Sequence, residues 1–136
     1  MRPTLRDRRD AYIVSERYPL DRLSGPRASP QIWLYSGQMR YEIVLAPQAA
    51  ASLRALAAFE RSAVRDALET HLRYEPAKVS KSRIKRLRGL ARPQYRLRVN
   101  DIRVFYDIAE EEVQILAIVT KAEAEAWLNT HGEAAP

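Results

Sequence analysis

Three arginines have the spacing that most strongly indicates chemistry in this sequence. Arg96 and Arg98 are two residues apart in a stretch that alternates apolar and polar residues, so both side chains point to one face of a strand. Arg103 follows a tight-turn signal at Asn100-Asp101 and lands opposite them on the next strand. Three aligned guanidinium groups repel one another unless an anion lies between them. Such a cluster can bind RNA phosphates and stabilise the charge that develops when a 2′-hydroxyl attacks the adjacent phosphate.

The segment around these arginines is strongly basic. Residues 72–103 contain 11 basic and 2 acidic residues, a net charge of +9 in a chain whose total is +6. This charge makes the segment a candidate phosphate-binding surface. Four further cations approach from the preceding segment: Lys85, Arg86, Arg88 and Arg92. Two other interpretations remain open: a solvated face, or arginines that pair with Glu110–Glu112 or Asp107 and only hold the strands together.

Other kinds of catalytic site have little support in the sequence. The chain has no cysteine, which excludes disulfides, thiolate zinc sites and cysteine nucleophiles. Of its two histidines, His71 lies on or beside an apolar helix stripe and His131 lies in a polar tail. The four glycines are scattered, and Glu110–Glu112 is typical of a turn rather than of a metal site. We therefore expect no metal and no cofactor.

The sequence also predicts a protein without membrane association. No apolar stretch reaches the roughly 18–20 residues that a membrane helix needs. The first ten residues are basic but lead into no apolar core, so we expect no signal peptide and a cytoplasmic location.

The order of secondary-structure elements starts at Met39. The alternation of apolar and polar residues at 39–45 predicts a strand, and Pro47 then lies where a first-turn proline begins a helix. Two apolar stripes, separated by an interruption at Phe59–Ser62, predict a helix hairpin that ends before Glu75-Pro76.

The second half of the domain is predicted to be mainly strand. Alternating residues indicate strands at 95–99, 102–108 and 113–119, followed by a short helix at 121–128 that packs through Trp127 and Leu128. The sequence thus predicts an α+β fold. An antiparallel meander and the N-terminal strand form one sheet, which packs against the two-helix hairpin and is followed by the short C-terminal helix.

Residues 1–38 differ in character from the rest of the chain. They hold Pro3, Pro19, Pro26 and Pro30, half of the eight prolines, and their apolar residues follow neither helical nor strand periodicity. We expect a mostly irregular extension that is dispensable for folding, with Trp33–Tyr35 as one patch that docks on the domain formed by residues 39–136.

Three stretches resemble the RelE/ParE superfamily of toxins from type II toxin–antitoxin systems. They are MRYEIVLAP at 39–47, KRLRGLARPQYRLRVNDIRVFYDI at 85–108 and VQILAIVTKAEAEAWL at 113–128. The resemblance spans residues 39–128 in the correct element order, and Met39 falls where members of the family usually begin. It implies a RelE-like fold, a compact sheet with two helices on one face and a concave, basic opposite face.

The RelE branch consists of metal-independent endonucleases that cut mRNA on the ribosome and so repress translation. By this resemblance the catalytic residues are Arg96, Arg98 and Arg103, and an RNA-binding role falls to Lys85, Arg86, Arg88, Arg92 and Lys121. A further family arginine falls at Ala122, with Lys121 nearest to it, and the family tyrosine falls at Leu128, beside Trp127. The phosphate cradle is therefore present, whereas the family's proton-transfer residue is not.

The ParE branch shares the fold, lacks the nuclease residues and acts by binding DNA gyrase. The paired basic residues on the central strand favour the RelE branch, and the missing tyrosine favours the ParE branch or a weakened toxin that acts by protein binding. Of the two we favour the RelE branch, so the resemblance predicts a ribosome-dependent mRNA endonuclease, with a gyrase inhibitor or a weakened toxin as the alternative. Either branch implies a cognate antitoxin whose acidic segment covers the basic face, together with the ribosome and mRNA, or gyrase, as the target.

Overall fold

The computed structural model describes residues 17–23 and 39–136. In chain order the elements are β1 (Tyr18–Pro19), α1 (Leu20–Leu23), β2 (Glu42–Leu45), α2 (Pro47–Ala55), α3 (Ala58–Leu72), β3 (Ile84–Arg86), β4 (Leu90–Arg92), β5 (Tyr95–Val99), β6 (Ile102–Ala109), β7 (Glu112–Thr120), α4 (Lys121–His131) and β8 (Glu133–Ala134). The predicted α+β class is confirmed.

Within the described ranges, six strands form one mixed sheet in the order β1-β2-β7-β6-β5-β3. Strands β5, β6 and β7 are the predicted antiparallel meander. Strand β2 runs parallel to β7, with Ile43 opposite Val113 and Leu45 opposite Ile115. The chain returns to this edge by a long crossover, which a parallel pair requires. The N-terminal strand therefore joins the same sheet, as predicted.

Helices α2 and α3 cover one face of the sheet. Pro47 occupies the first turn of α2, where backbone N–H groups have no partner within the helix, so the N–H that proline lacks costs no hydrogen bond. Leu53 of α2 and Leu68 of α3 are almost completely buried against apolar strand residues such as Leu45 and Leu97. This packing forms the main core and confirms the predicted helix hairpin.

The predicted interruption at Phe59–Ser62 is wrong, because the two helices separate at Leu56 and Ala57 instead. Both of these residues have extended backbone angles. The Nη1 atom of Arg61 donates hydrogen bonds to the carbonyl oxygens of Leu56 (2.7 Å) and Arg54 (3.2 Å). A side chain from the second helix thus caps the C-terminus of the first, and apolar periodicity contains no signal for such a cap.

The C-terminal helix is three residues longer than predicted. Thr120 and Glu123 form a capping box at its start. The helix continues to His131, and Gly132 then leads into β8, which pairs with β4. A Cβ atom built on Gly132 would lie 2.6 Å from the carbonyl oxygen of Leu128, so only glycine fits this exit from the helix.

The described part of the N-terminal extension does not fit an irregular tail. Residues Tyr18–Pro19 pair with β2, and the side chain of Leu20 is fully buried in the core. Asp21 accepts a hydrogen bond from Nη2 of Arg73 at 3.0 Å, and Arg73 also donates from Nε to Glu69 at 2.9 Å. Residues 17–23 are therefore part of the domain. The boundary after residue 38 stays a prediction, and Trp33–Tyr35 lie outside the described residues.

Candidate binding site: an arginine face on strands β5 and β6

The face of the sheet opposite α2 and α3 carries the three predicted arginines. In the register of β5 and β6, Arg98 lies directly opposite Arg103, and Arg96 lies opposite Phe105. Directly opposed residues of an antiparallel pair point to the same face, and so do residues two apart on one strand. The structure therefore brings Arg96, Arg98 and Arg103 together, and we call this surface the arginine face. Their catalytic role stays a prediction.

The three arginines differ in what their guanidinium groups contact. Arg103 is buried, and its Nη1 atom donates to the carbonyl oxygens of Asn100 (2.8 Å) and Ile102 (3.1 Å). These bonds tie its side chain to the turn between β5 and β6. Arg98 is exposed to solvent, and Arg96 is half-buried. Arg103 thus stabilises the turn, whereas Arg98 is free to reach a partner.

Arg96 occupies an unfavourable electrostatic position. Burial lowers the pKa of its guanidinium, and the like charges of Arg103 and Arg98 lower it further. Its Nε atom is buried and has no hydrogen-bond partner among the residues that the structure describes. Over residues 17–23 and 39–136, none of the three arginines forms an ion pair with a carboxylate. The arrangement would be stabilised by an anion.

Of the five residues predicted to bind RNA, Lys85 is the one that extends this face. It lies opposite Arg96 in the pairing of β3 with β5 and is exposed. Arg86, one residue on, points to the other side of the sheet, where its guanidinium lies over the ring of Tyr95 at 5.0 Å. That cation–π contact removes Arg86 from the arginine face.

The remaining three cations are dispersed. Arg88 is exposed in the turn between β3 and β4. Lys121 is exposed at the start of α4, and its backbone N–H donates to the carbonyl oxygen of Asp101 at 2.6 Å. Arg92 forms an ion pair with Asp107, with 2.9 Å between Nε and Oδ2. The basic segment thus folds into one compact patch and several separate charges.

Asp107 is a buried carboxylate that sequence analysis weighed only as a partner for the arginines. Burial raises its pKa, and the charge of Arg92 and a hydrogen bond from the backbone N–H of Gln94 (2.7 Å) act in the opposite direction. Gln94 in turn accepts from the N–H of Ile108 at 3.0 Å. This network connects β4 and the residue before β5 to β6. The alternative in which acidic residues neutralise the cluster therefore holds for Arg92 and not for the arginine face.

An aromatic stack borders the arginine face. The ring of Trp127 lies 5.1 Å from that of Phe105 at an interplanar angle of 8°, and His131 tilts against Trp127 at 5.0 Å. The predicted packing role of Trp127 is observed, and Leu128 beside it is half-buried. Sequence analysis placed His131 in a polar tail. Its spacing of four residues from Trp127 was the signal that both belong to one helix face.

This arrangement can bind an anion, and it offers little for proton transfer. No acidic, histidine or tyrosine side chain within the described ranges is hydrogen-bonded to the three arginines. In the same ranges no group of three or more histidine, aspartate or glutamate residues is placed to hold a metal ion. No described helix is long and apolar enough to cross a membrane.

One comparison with known proteins identifies the family of this chain. A family model described as "ParE toxin of type II toxin-antitoxin system, parDE" matches residues 43–125, more than half of the chain. The matched stretch runs from β2 into α4 and includes the whole arginine face. No curated protein and no solved structure matches the chain. The chain thus belongs to the ParE toxin family, within the RelE/ParE superfamily of type II toxin–antitoxin systems.

Proposed function

We propose that this toxin acts as an inhibitor that binds DNA gyrase, and not as a nuclease. The observation that carries the proposal is the composition of the arginine face. It offers uncompensated positive charge for a partner, and within the described residues no acidic, histidine or tyrosine side chain is hydrogen-bonded to Arg96, Arg98 or Arg103. Cleavage of RNA by 2′-hydroxyl attack requires proton transfer to and from the reacting oxygens. Binding requires only complementary charge and shape.

The hydrogen bonds of Arg103 support the same conclusion. A catalytic arginine must be free to follow the charge that develops on the phosphate. Arg103 donates instead to two backbone carbonyl oxygens of its own turn and is 9% exposed. Its contribution is therefore to hold the hairpin, and the binding role falls to Arg98 and Arg96.

The deciding experiment is induced expression followed by pulse labelling of the cells. A gyrase inhibitor is expected to stop thymidine incorporation before amino-acid incorporation. With purified components, the full chain is expected to inhibit supercoiling of relaxed plasmid by gyrase. An Arg96→Gln, Arg98→Gln double variant, which leaves Arg103 and its turn intact, is expected to weaken both effects. Val79→Ser, at an exposed site in the loop between α3 and β3, serves as the control.

A second candidate, ribosome-dependent cleavage of mRNA, is favoured by one observation. The half-buried Arg96, with its unpaired Nε atom, lies across from the Phe105–Trp127 stack, and arginine beside aromatic rings is common in RNA sites. If the toxin cleaves mRNA, amino-acid incorporation is expected to stop before thymidine incorporation. Each lost phosphate contact would also lower the log–log salt slope of ribosome association by about one unit. An early arrest of protein synthesis with cut mRNA would refute gyrase inhibition.

A further inference from the structure

The outermost strand beside β2 comes from a separate segment, residues 17–23, which we call the strap. In β2, Glu42 and Ala46 donate their backbone N–H groups to the β7 side, at 2.9 Å each. Backbone groups alternate in direction along such a strand, so the N–H of Leu45 points the other way, where Tyr18 of the strap pairs with it. Without the strap, β2 would be an open edge among the described strands.

The strap also ends the sheet. Its strand β1 consists of Tyr18 and Pro19 alone, and proline has no N–H group to donate to a further strand. Short edge strands and edge prolines are among the features by which proteins prevent pairing with another chain. The strap therefore closes an edge that β2 alone would leave open to strand addition.

One buried side chain and several exposed ion pairs hold the strap in place. Leu20 is fully buried in the main core. Arg17 forms an ion pair with Glu112, and Asp21 forms one with Arg73 at 3.0 Å. The side chains of Arg17 and Asp21 are 42% and 51% exposed, and ion pairs of such exposed groups contribute little and are screened by salt. Detachment of the strap breaks these contacts and none of those between β2 and β7.

The site that receives the carboxylate of the strap is held by the rest of the domain. Arg73 is 2% exposed, and its Nε atom donates to Glu69 at 2.9 Å. Its Nη1 atom donates to the carbonyl oxygen of Tyr41 at 3.0 Å. Asp21 adds one further contact, at Nη2. Arg73 therefore keeps two of its anchors when the strap leaves, and its position remains suited to a carboxylate from another chain.

We propose that the edge of β2 is a strand-addition site for an extended segment of a protein partner, and that the strap is an autoinhibitory segment that the partner displaces. In strand addition, backbone hydrogen bonds provide affinity and the contacts of side chains provide specificity. The strap indicates the chemistry of the partner segment: a cation that faces Glu112, an apolar residue in the place of Leu20 three positions later, and a carboxylate for Arg73 directly after it. The arginine face lies on other strands, so this proposal does not rest on the action of the toxin.

The test is the binding of a labelled synthetic peptide with the sequence of residues 17–23, measured by fluorescence polarisation. A segment tethered to its own site competes at an effective concentration on the order of 1 mM, so the unaltered full chain is expected to bind the peptide weakly. A full-chain Leu20→Ala, Asp21→Ala double variant has a weakened strap, and its dissociation constant for the peptide is expected to be lower by about tenfold or more. A peptide that carries the same two substitutions is expected to lose binding. Val79→Ser, in the loop between α3 and β3, is the control and is expected to bind the peptide as weakly as the unaltered chain.

Amide hydrogen exchange identifies the edge that the peptide occupies. In the double variant, saturating peptide is expected to slow exchange of the Leu45 N–H, which faces the strap. Asp21→Ala alone removes an exposed side chain and replaces the double variant if that one does not fold; it is expected to bind the peptide about threefold more tightly than the unaltered chain.

Three results would overturn the proposal. The first is equal affinity of the unaltered and strap-weakened chains for the peptide, including no binding to either. The second is peptide binding without protection of Leu45. The third is a concentration-dependent dimer of the unaltered chain that is lost in the double variant, because the strap of a second copy would then occupy the edge of β2.

Discussion

Replacing Leu20 with alanine is expected to destabilise the protein by about 3 kcal/mol. The side chain of Leu20 is fully buried in the main core, although it belongs to the N-terminal extension. Truncation of a buried leucine removes its transfer free energy and leaves a cavity, and together these effects cost about 2.7–5.0 kcal/mol. We take the lower end of this range because Leu20 lies in a short segment at the sheet edge, where neighbouring residues can move into the space.

The measurement is urea unfolding of the full chain followed by circular dichroism. With a slope of about 1.5–2 kcal/mol per molar urea, the transition midpoint is expected to fall by about 1.5–2 M. Val79→Ala, at a 56% exposed site, is the matched control and is expected to change stability by less than about 0.5 kcal/mol. A chain that begins at Met39 is expected to be destabilised too, since it also lacks the ion pair between Asp21 and Arg73.

The reasoning would be refuted if Leu20→Ala and Val79→Ala had the same midpoint, within about 0.3 M. The segment would then be detached in solution, and residues 1–38 would be dispensable, as the sequence alone suggested.

Three further predictions follow from single contacts. Trp127→Ala is expected to lower the free energy of unfolding by about 2 kcal/mol, less than the roughly 3–5 kcal/mol of a fully buried tryptophan, because Trp127 is half-buried. Trp127→Phe keeps the stack on Phe105 and is expected to be nearly as stable as the unchanged chain; equal thermal midpoints for the two variants would contradict this. Gly132→Ala is expected to destabilise the protein by about 1–3 kcal/mol in urea unfolding, because the added Cβ would meet the carbonyl oxygen of Leu128. An unchanged midpoint would show that the exit from α4 is not constrained. Burial and the charge of Arg83 lower the pKa of His71, so the unfolded state binds a proton more readily than the folded state. The free energy of unfolding is therefore expected to fall as the pH drops below about 6.5. His71→Gln is expected to flatten this pH dependence, and an unchanged dependence would show that another group causes it.

The arginine face could be predicted from sequence because its geometry is set by local rules. Strand alternation places Arg96 and Arg98 on one side, and a two-residue turn at Asn100-Asp101 fixes which residue of β6 lies opposite them. Asn100 adopts the positive φ of 55° that such a turn requires and that asparagine tolerates. Register, turn type and facing pairs therefore follow from about ten consecutive residues.

The features that the sequence did not reveal depend on contacts between distant segments. Strands β3, β4 and β8 are two or three residues long, too short for alternation to be visible, and they exist because a neighbouring strand pairs with them. Arg73 is separated from Asp21 by 52 positions. Burial opposes the charge of Arg73, but its contacts with Glu69 and Asp21 outweigh that effect and raise its pKa. Nothing in the local pattern distinguishes this arginine from an exposed one.

The hydrogen bonds of Arg103 determine how the tip of the β5–β6 hairpin presents Arg98. By holding the carbonyl oxygens of Asn100 and Ile102, Arg103 fixes the shape of the hairpin tip. That shape determines the position of Arg98, which lies directly opposite Arg103. Both hydrogen bonds come from the one Nη1 atom, and lysine at position 103 would keep the charge but place its shorter side chain's nitrogen short of that position. Arg103→Lys is therefore expected to weaken inhibition of gyrase supercoiling and to lower the midpoint of urea unfolding, whereas Arg98→Lys, at an exposed site, is expected to leave the midpoint unchanged. If Arg103→Lys left the midpoint unchanged, the tip would be fixed by the turn sequence alone, and Arg103 would be a third contact residue equivalent to Arg98.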